Sequence, residues 1–407
     1  MRQLNEFLEY RHEDNPLYSV FMNKVGVLGL SDDVVAELGE RLKHAIDNGV
    51  NRGFSQLLEY VHAHIEHANP HDGVWSLPNG EAFYELRLKT YTTTDTTAAS
   101  IHQLGLAEVD RITRRMREIF DELGYSTTDS VGSLMNGLNE EPRFLYEDEP
   151  DRKDIVVADY SAMVAATKEA MGNAFRRLPR AEVVVRAVPE YSEETAAGGY
   201  YMSPALDGSR PGVFYANLYD IKQTPKYAMR TLVFHEAIPG HHLQNAINIE
   251  NEDLTLYRKY GYGTSAFSEG WALYAERLAV ELGLAGSPYD ELGVLQSELF
   301  RAVRLVVDTG IHSKRWTREE AIDYMKNTTG MSNTEVVVEI ERYIVWPGQA
   351  CSYKMGMLKI VNLREWAKQE LGDQFDLKTF HSVVLDHGEP PLFIVEDLVS
   401  QLIESRG

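Results

Sequence analysis

The sequence predicts a mainly helical α+β protein that carries one small sheet. Apolar residues recur at spacings of three and four over most of the 407 residues, and turn-rich breaks at Pro70–Gly80 and His387–Pro391 punctuate that pattern. Short β-branched and aromatic runs cluster only between Arg180 and Leu218.

From Met1 to about Asn69 the period is helical, with Val35, Leu38, Leu42 and Ile46 on one face. After the first break, TTTDTTAASIHQLGLAEVDRITRRMREIF reads as a helix capped near its start by Asp95 or a neighbouring Thr, and helix continues to about Gly172. AEVVVRAVP, YYMSPAL and GVFYANL, divided by the turn DGSRPG, then read as the strands. GVFYANL is a candidate edge strand for an extended substrate. From Thr224 onward the pattern returns to helix, with a capping signal where Thr317 precedes Glu320. The expected organisation is an N-terminal helical region at 1–72 and a body at 73–407, or one continuous domain over 1–407. No repeat or low-complexity segment interrupts it.

Composition narrows the function. A formal net charge of -22 repels nucleic acid and anionic membrane. No stretch reaches the roughly 18 apolar residues of a bilayer span. The opening MRQLNEFLEYRHEDNP has no apolar core of a signal peptide, which suggests a cytoplasmic place for the chain as read. The single cysteine, Cys351, excludes an internal disulfide and a thiolate-rich metal site, and it lacks the partners of a catalytic nucleophile. Any metal must be held by His and carboxylate.

Those ligands are concentrated just after the sheet, where TLVFHEAIPGHHLQ places His235, Glu236, His241 and His242 within eight residues. In HExxH zinc hydrolases the two imidazoles lie at i and i+4 on one helix face, and the intervening Glu activates water. Here position i+4 is Pro239. At about 100° per residue His241 falls about 240° round from His235, so an unbroken helix cannot present both. The Pro239-Gly240 pair must therefore break or bulge the helix. His241 is the favoured second ligand, and His242, nearly back in phase, stays an alternative.

A third ligand is expected downstream, and SAFSEGWALYAERL offers Glu269, with Glu276 on the same face at i+7. Taken alone, Glu269 reads better as a first-turn carboxylate favoured by the helix dipole. HEAIPGHHLQ followed by SEGWALYAERL resembles the bacterial family DUF885, whose members are often described as zincin-like or as lipoproteins. GVWSLPNGEAFYELRLKTYTTT, IHQLGLAEVDRI, YYMSPALDGSRPGVFYANL, RAVRLVVDTGIH, WPGQACSYKMG and VVLDHGEPPLFIVEDLV carry the same likeness from about Gly73 onward. The resemblance implies a zincin-like helical body of gluzincin type, its active-site helix following a short sheet. It also implies Glu236 as general base and one zinc ion on His235, a second histidine and Glu269. Some members carry a lipoprotein signal, which leaves a periplasmic or lipoprotein location open.

Four further residues are site candidates, Asp308 among them as an orienter of its neighbours. Arg304, Asp308 and His312 form a polar i, i+4, i+8 stripe on an otherwise apolar helix. If the stripe faces the site, Arg304 binds substrate and His312 stabilises an oxyanion; otherwise it is an internal ion pair. Tyr353, after the Pro347-Gly348 helix start, is a second oxyanion donor or a core tyrosine. His62, His64, His67 and His71 sit at a helix C-terminus, where the dipole favours them without a metal. The expected activity is a zinc-dependent metallopeptidase or amidohydrolase, acting on a peptide or small amide by Glu-assisted attack of a metal-bound water. The competing expectation is a non-catalytic metal-binding or scaffold protein with a degenerate site. Coordination separates the two, because a catalytic site keeps one position open.

Overall fold

A computed structural model describes residues 1–126, 128–190, 192–194, 196–220 and 224–406, with only the backbone at residues 2 and 3. The chain forms two compact units, Met1–Pro70 and His71–Gly407.

The first unit is made of the helices Arg2–Glu9, Pro16–Gly26, Asp32–Ala45 and Arg52–His64. A π-helical turn, Ile46–Asn51, joins the last two and buries Ile46. Near the end of the unit His64 turns its Nδ1 back to the Tyr60 carbonyl at 2.9 Å, a local bond within the helix.

In the second unit the helix Pro288–Ser313 is the central strut, and its residues from Ala302 to His312 are all buried. Such all-round burial follows from apolar residues on every face except the Arg304–Asp308–His312 stripe. Ala98–Glu122, capped by Thr97, packs along it, as does Lys226–Leu232. Arg318–Thr329 follows and opens with the capping box of Thr317 and Glu320 that the sequence signals.

A second pair of helices, Ser265–Glu281 and Cys351–Leu371, crosses so closely that glycine is required on both sides. A Cβ on Gly270 would lie 2.5 Å from the Gly356 Cα, and one on Gly356 would lie 1.9 Å from the Ala266 carbonyl. That crossing fixes the place of the helix that carries Glu269.

The sheet has three strands, β1 (Val183–Ala187), β2 (Gly199–Met202) and β3 (Gly212–Ala216), in the order β1-β3-β2. β3 runs parallel to β1, with Val183 opposite Gly212, and antiparallel to β2, with Gly199 opposite Ala216. The GVFYA run is therefore the interior strand and not the edge expected from its sequence. Its burial on both faces, with Phe214 fully enclosed, is what an interior strand requires. The outer strands on either side of it are β1 and β2.

Candidate metal centre

The helix Lys226–Leu232 does not continue through the histidines. It widens into a π-helical turn, Val233–Ala237, then goes extended at Ile238, crosses a cis Ile238–Pro239 bond, and restarts as His241–Glu250. Gly240 makes the restart possible. A Cβ there would stand 1.9 Å from the His235 carbonyl and 2.3 Å from that of Phe234. The buried Trp271 pins the turn, its Nε1–H donating to the Pro239 carbonyl at 2.9 Å.

The break brings together what a regular helix would separate. The rings of His235 and His241 stand edge to face with centroids 4.8 Å apart. Glu269 reaches in from the crossing helix, its Oε2 being 3.5 Å from His235 Nε2 and 3.6 Å from His241 Nε2. All three ligand atoms lie within 4.8 Å of one another, and among the described residues this is the one such group of three His, Cys, Asp or Glu. Two ligands about 2.1 Å from a tetrahedral ion stand about 3.4 Å apart, so the observed spacings suit a zinc ion held by two nitrogens and one oxygen.

Hydrogen bonding fixes how His235 presents itself. Glu276 places Oε1 2.7 Å from His235 Nδ1. A carboxylate only accepts, so Nδ1 carries a proton, and Nε2 is the nitrogen that faces Glu269 and His241. Burial opposes charge on this ring, but Glu269 and Glu276 outweigh it and hold its pKa up to about 10. Glu269 is likewise kept well below the usual carboxylate range, against its own burial, by the two histidines. The cluster is thus built for a cation among carboxylates, and loading a metal must release a proton. Glu236 is buried beside His235. Gln244, three residues after His241, donates to Glu389 at 3.0 Å. Burial raises the Glu389 carboxyl above its ordinary range.

His242 is directed elsewhere. Its Nδ1 meets the Tyr201 hydroxyl at 3.0 Å and its Nε2 meets the Ala181 carbonyl at 3.1 Å, tying the helix to the sheet. Burial lowers its pKa to about 4, and the neutral ring is the form that suits those bonds.

The polar stripe on Pro288–Ser313 is an internal network. His312 donates from Nε2 to the Tyr343 carbonyl at 3.0 Å and accepts the Val74 N–H on Nδ1 at 3.2 Å, which leaves neither nitrogen for an oxyanion. Asp308 accepts from the Tyr84 hydroxyl at 2.5 Å and from the Gly348 N–H at 3.1 Å. Arg304 donates to the Tyr343 hydroxyl at 2.9 Å and to Glu339 at 3.0 Å, so the expected substrate-binding role gives way to a buried ion pair. Its guanidinium also lies 4.3 Å from the ring centre of Tyr353. Tyr353 itself is half-buried, one turn before Gly356. Cys351 is buried, and burial with Asp308 nearby pushes its thiol well above the ordinary range, the reverse of a nucleophile. Glu389 is the site group that the sequence does not single out, while Glu276, noted there only for sharing the Glu269 face, is the partner of His235.

The sequence pattern described as "Bacterial protein of unknown function (DUF885)" matches residues 1–399. The chain belongs to the DUF885 family. Among solved structures it is similar to "the putative lipoprotein from Colwellia psychrerythraea", with 41% identity and a TM-score of 0.96 over 99% of this chain and 69% of that one. It also shares its fold with "a putative lipoprotein of unknown function from Shewanella oneidensis", at 24% identity and a TM-score of 0.72 over 93% of this chain and 69% of that one. No curated protein matches the chain. Among the described residues of this DUF885 protein, no helix is long and apolar enough to cross a membrane.

Proposed function

We propose that this DUF885 protein is a zinc-dependent hydrolase that cleaves peptide or other amide bonds. The observation that supports it is the convergence of His235 Nε2, His241 Nε2 and Glu269 Oε2 within 4.8 Å. Three protein ligands with a buried carboxylate next to them are the donor set of a catalytic zinc site with one open position. When bound, the ion supplies Lewis acidity to the attacking water and to the scissile carbonyl.

The chain's own groups account for the rest. Glu236 takes the proton of the attacking water and passes it to the leaving nitrogen. Glu276 holds His235 in the tautomer and orientation that ligation needs. Tyr353, braced by Arg304, is the remaining side-chain donor for a developing oxyanion, since His312 is committed to backbone groups. Both structural neighbours are named as lipoproteins, which favours an envelope location over the cytoplasmic one suggested by the opening residues.

The test is elemental analysis of the wild type and Glu236→Gln, with hydrolysis of a mixed peptide library read by mass spectrometry. The expected result is about one zinc in each protein and cleavage by the wild type alone. Protein that holds no metal after reconstitution ends the metallohydrolase reading. Zinc without cleavage in either protein converts it to a structural metal site.

A further inference from the structure

Glu389 has no cation to answer its charge. Its Oε1 accepts from Gln244 Nε2 at 3.0 Å, and among the described residues it forms no ion pair. Its Oε2 has no hydrogen-bond partner, yet it is not one of the sealed-off polar atoms of the interior and so keeps accessible surface. Burial strips this carboxylate of hydration, and no lysine or arginine offsets that loss.

Glu389 is held where the helices that supply His241 and Glu269 begin. Gln244, its partner, lies one turn after His241 on the first of them. Gly263 lies just ahead of the second, Ser265–Glu281, and a Cβ there would stand 2.3 Å from Glu389 Oε2, so the carboxylate fits only beside a glycine. The charges of His241 and Glu269 both act on it, which places it within about 10 Å of them. Of the three ligands Glu269 is the most open, its side chain 23% exposed against 10% for His241 and 6% for His235. The cluster is thus most accessible at Glu269, on the helix that Gly263 leads into.

The turn that carries Glu389 is fixed from several sides. Asn251 donates to the Asp386 carbonyl at 2.9 Å, Arg258 donates to that of His387 at 2.7 Å, and the Leu392 N–H donates to Thr93 at 2.9 Å. Pro390 and Pro391 stiffen the chain between. A second metal ion is a poor occupant, because His235, His241 and Glu269 are the one group among the described residues that could hold one. A fixed carboxylate with one free oxygen suits an organic ammonium. A peptide offers that group at its amino terminus. An extended chain advances about 3.4 Å per residue, so a peptide anchored within about 10 Å of the ligands presents its first, second or third peptide bond to them.

We infer, resting on the hydrolase reading, that Glu389 anchors the ammonium of a peptide's free amino terminus and that fragments of one to three residues are released from that end. Water adds across the amide. The fragment leaves with the new carboxylate, and the remainder keeps a new amino terminus for the next round.

The experiment separates recognition from cleavage. Full-length Glu236→Gln, reconstituted with zinc, is titrated calorimetrically with trialanine amide, N-acetyl-trialanine amide and N-acetyl-alanyl-lysyl-alanine amide. The first should bind at least about tenfold more tightly than the second, as the loss of one charge-assisted bond requires. The third, whose ammonium is on a side chain, should bind like the second. Adding Glu389→Gln, which keeps the size of the side chain and an oxygen for Gln244, should abolish the advantage of the free amine and leave zinc content and melting temperature unchanged. Equal binding of the free and acetylated peptides overturns the inference, as does an advantage that survives Glu389→Gln, a preference for the lysine peptide, or no binding of trialanine amide at about 10 mM. Wild type given a longer unblocked peptide should shorten it by one to three residues at a time from the amino end, read by mass spectrometry. Cleavage confined to the interior or the carboxyl end overturns the inference. Amine-dependent binding with no cleavage by the wild type upholds the anchor and ends the hydrolase reading, so the two fail separately.

Discussion

At the scale of single residues, the site divides into groups that hold and groups that react. Glu276 only holds, so Glu276→Gln should keep the fold and lower zinc affinity by about 10–100-fold, measured by competition with a chromophoric chelator. In the proposed hydrolysis Glu236 reacts, so Glu236→Gln should retain zinc and lose about 10²–10⁴-fold in turnover of whichever library peptide the wild type cuts. Equal loss of zinc in that variant would make Glu236 a ligand instead. His235, Glu236 and His241 could be picked out of the sequence because few residue types suit a metal site and these fall close together, whereas Glu269, well downstream, comes through the resemblance to the family. Arg304 and His312 misled for a physical reason. Their i, i+4, i+8 spacing fixes a common face, but what that face meets depends on Val74 and Tyr343, far away in the chain. A polar stripe aimed at a catalytic centre and one aimed at backbone carbonyls are written alike.

At the scale of elements, two features set the position of the ligands. The π-helical turn and the restart at Gly240 bring His241 round to His235. The Gly270–Gly356 crossing seats the helix that carries Glu269. Gly356→Ala forces a methyl into the Ala266 carbonyl, a strain of about 1–3 kcal/mol that should appear as a lower melting temperature. It should also weaken zinc binding, because the helix must move where Glu269 is attached; unchanged zinc affinity would show that the site is indifferent to this crossing. That the helix had to break was readable from Pro239 and the six-residue spacing. The form of the break was not, since a proline forbids one hydrogen bond without choosing among the ways of living without it. The order of the strands was hidden for a similar reason, as a short apolar run suits an interior strand and an edge strand alike.

At the scale of the whole molecule, helix content and the place of the sheet followed from periodicity, while the packing around Pro288–Ser313 depends on contacts that no local pattern encodes. Stability should fall with acid in two stages. Burial lowers the pKa of His381 from 6.5 to about 4, and His242 behaves alike. Between those values the unfolded chain binds protons that the folded one refuses, so the contribution of these two histidines is full above about pH 6.5 and declines towards pH 4, by up to about 3 kcal/mol per histidine. Burial opposes the charge on Glu339, but Arg304 and Arg342 hold its pKa down to about 2 from 4.5, which places a further loss below pH 4.5. Denaturant melts at pH 7, 5 and 4 check the first stage, and a flat profile would mean that these histidines are reached by solvent. The turn at Pro239 and Gly240 also governs how such proteins are found. A scan for His-Glu followed by two residues of any kind and a second His passes over this chain, whereas a pattern of His-Glu, three residues of any kind, then Gly-His would retrieve it. Its informative position is the glycine, where a side chain would strike the carbonyl of the first histidine.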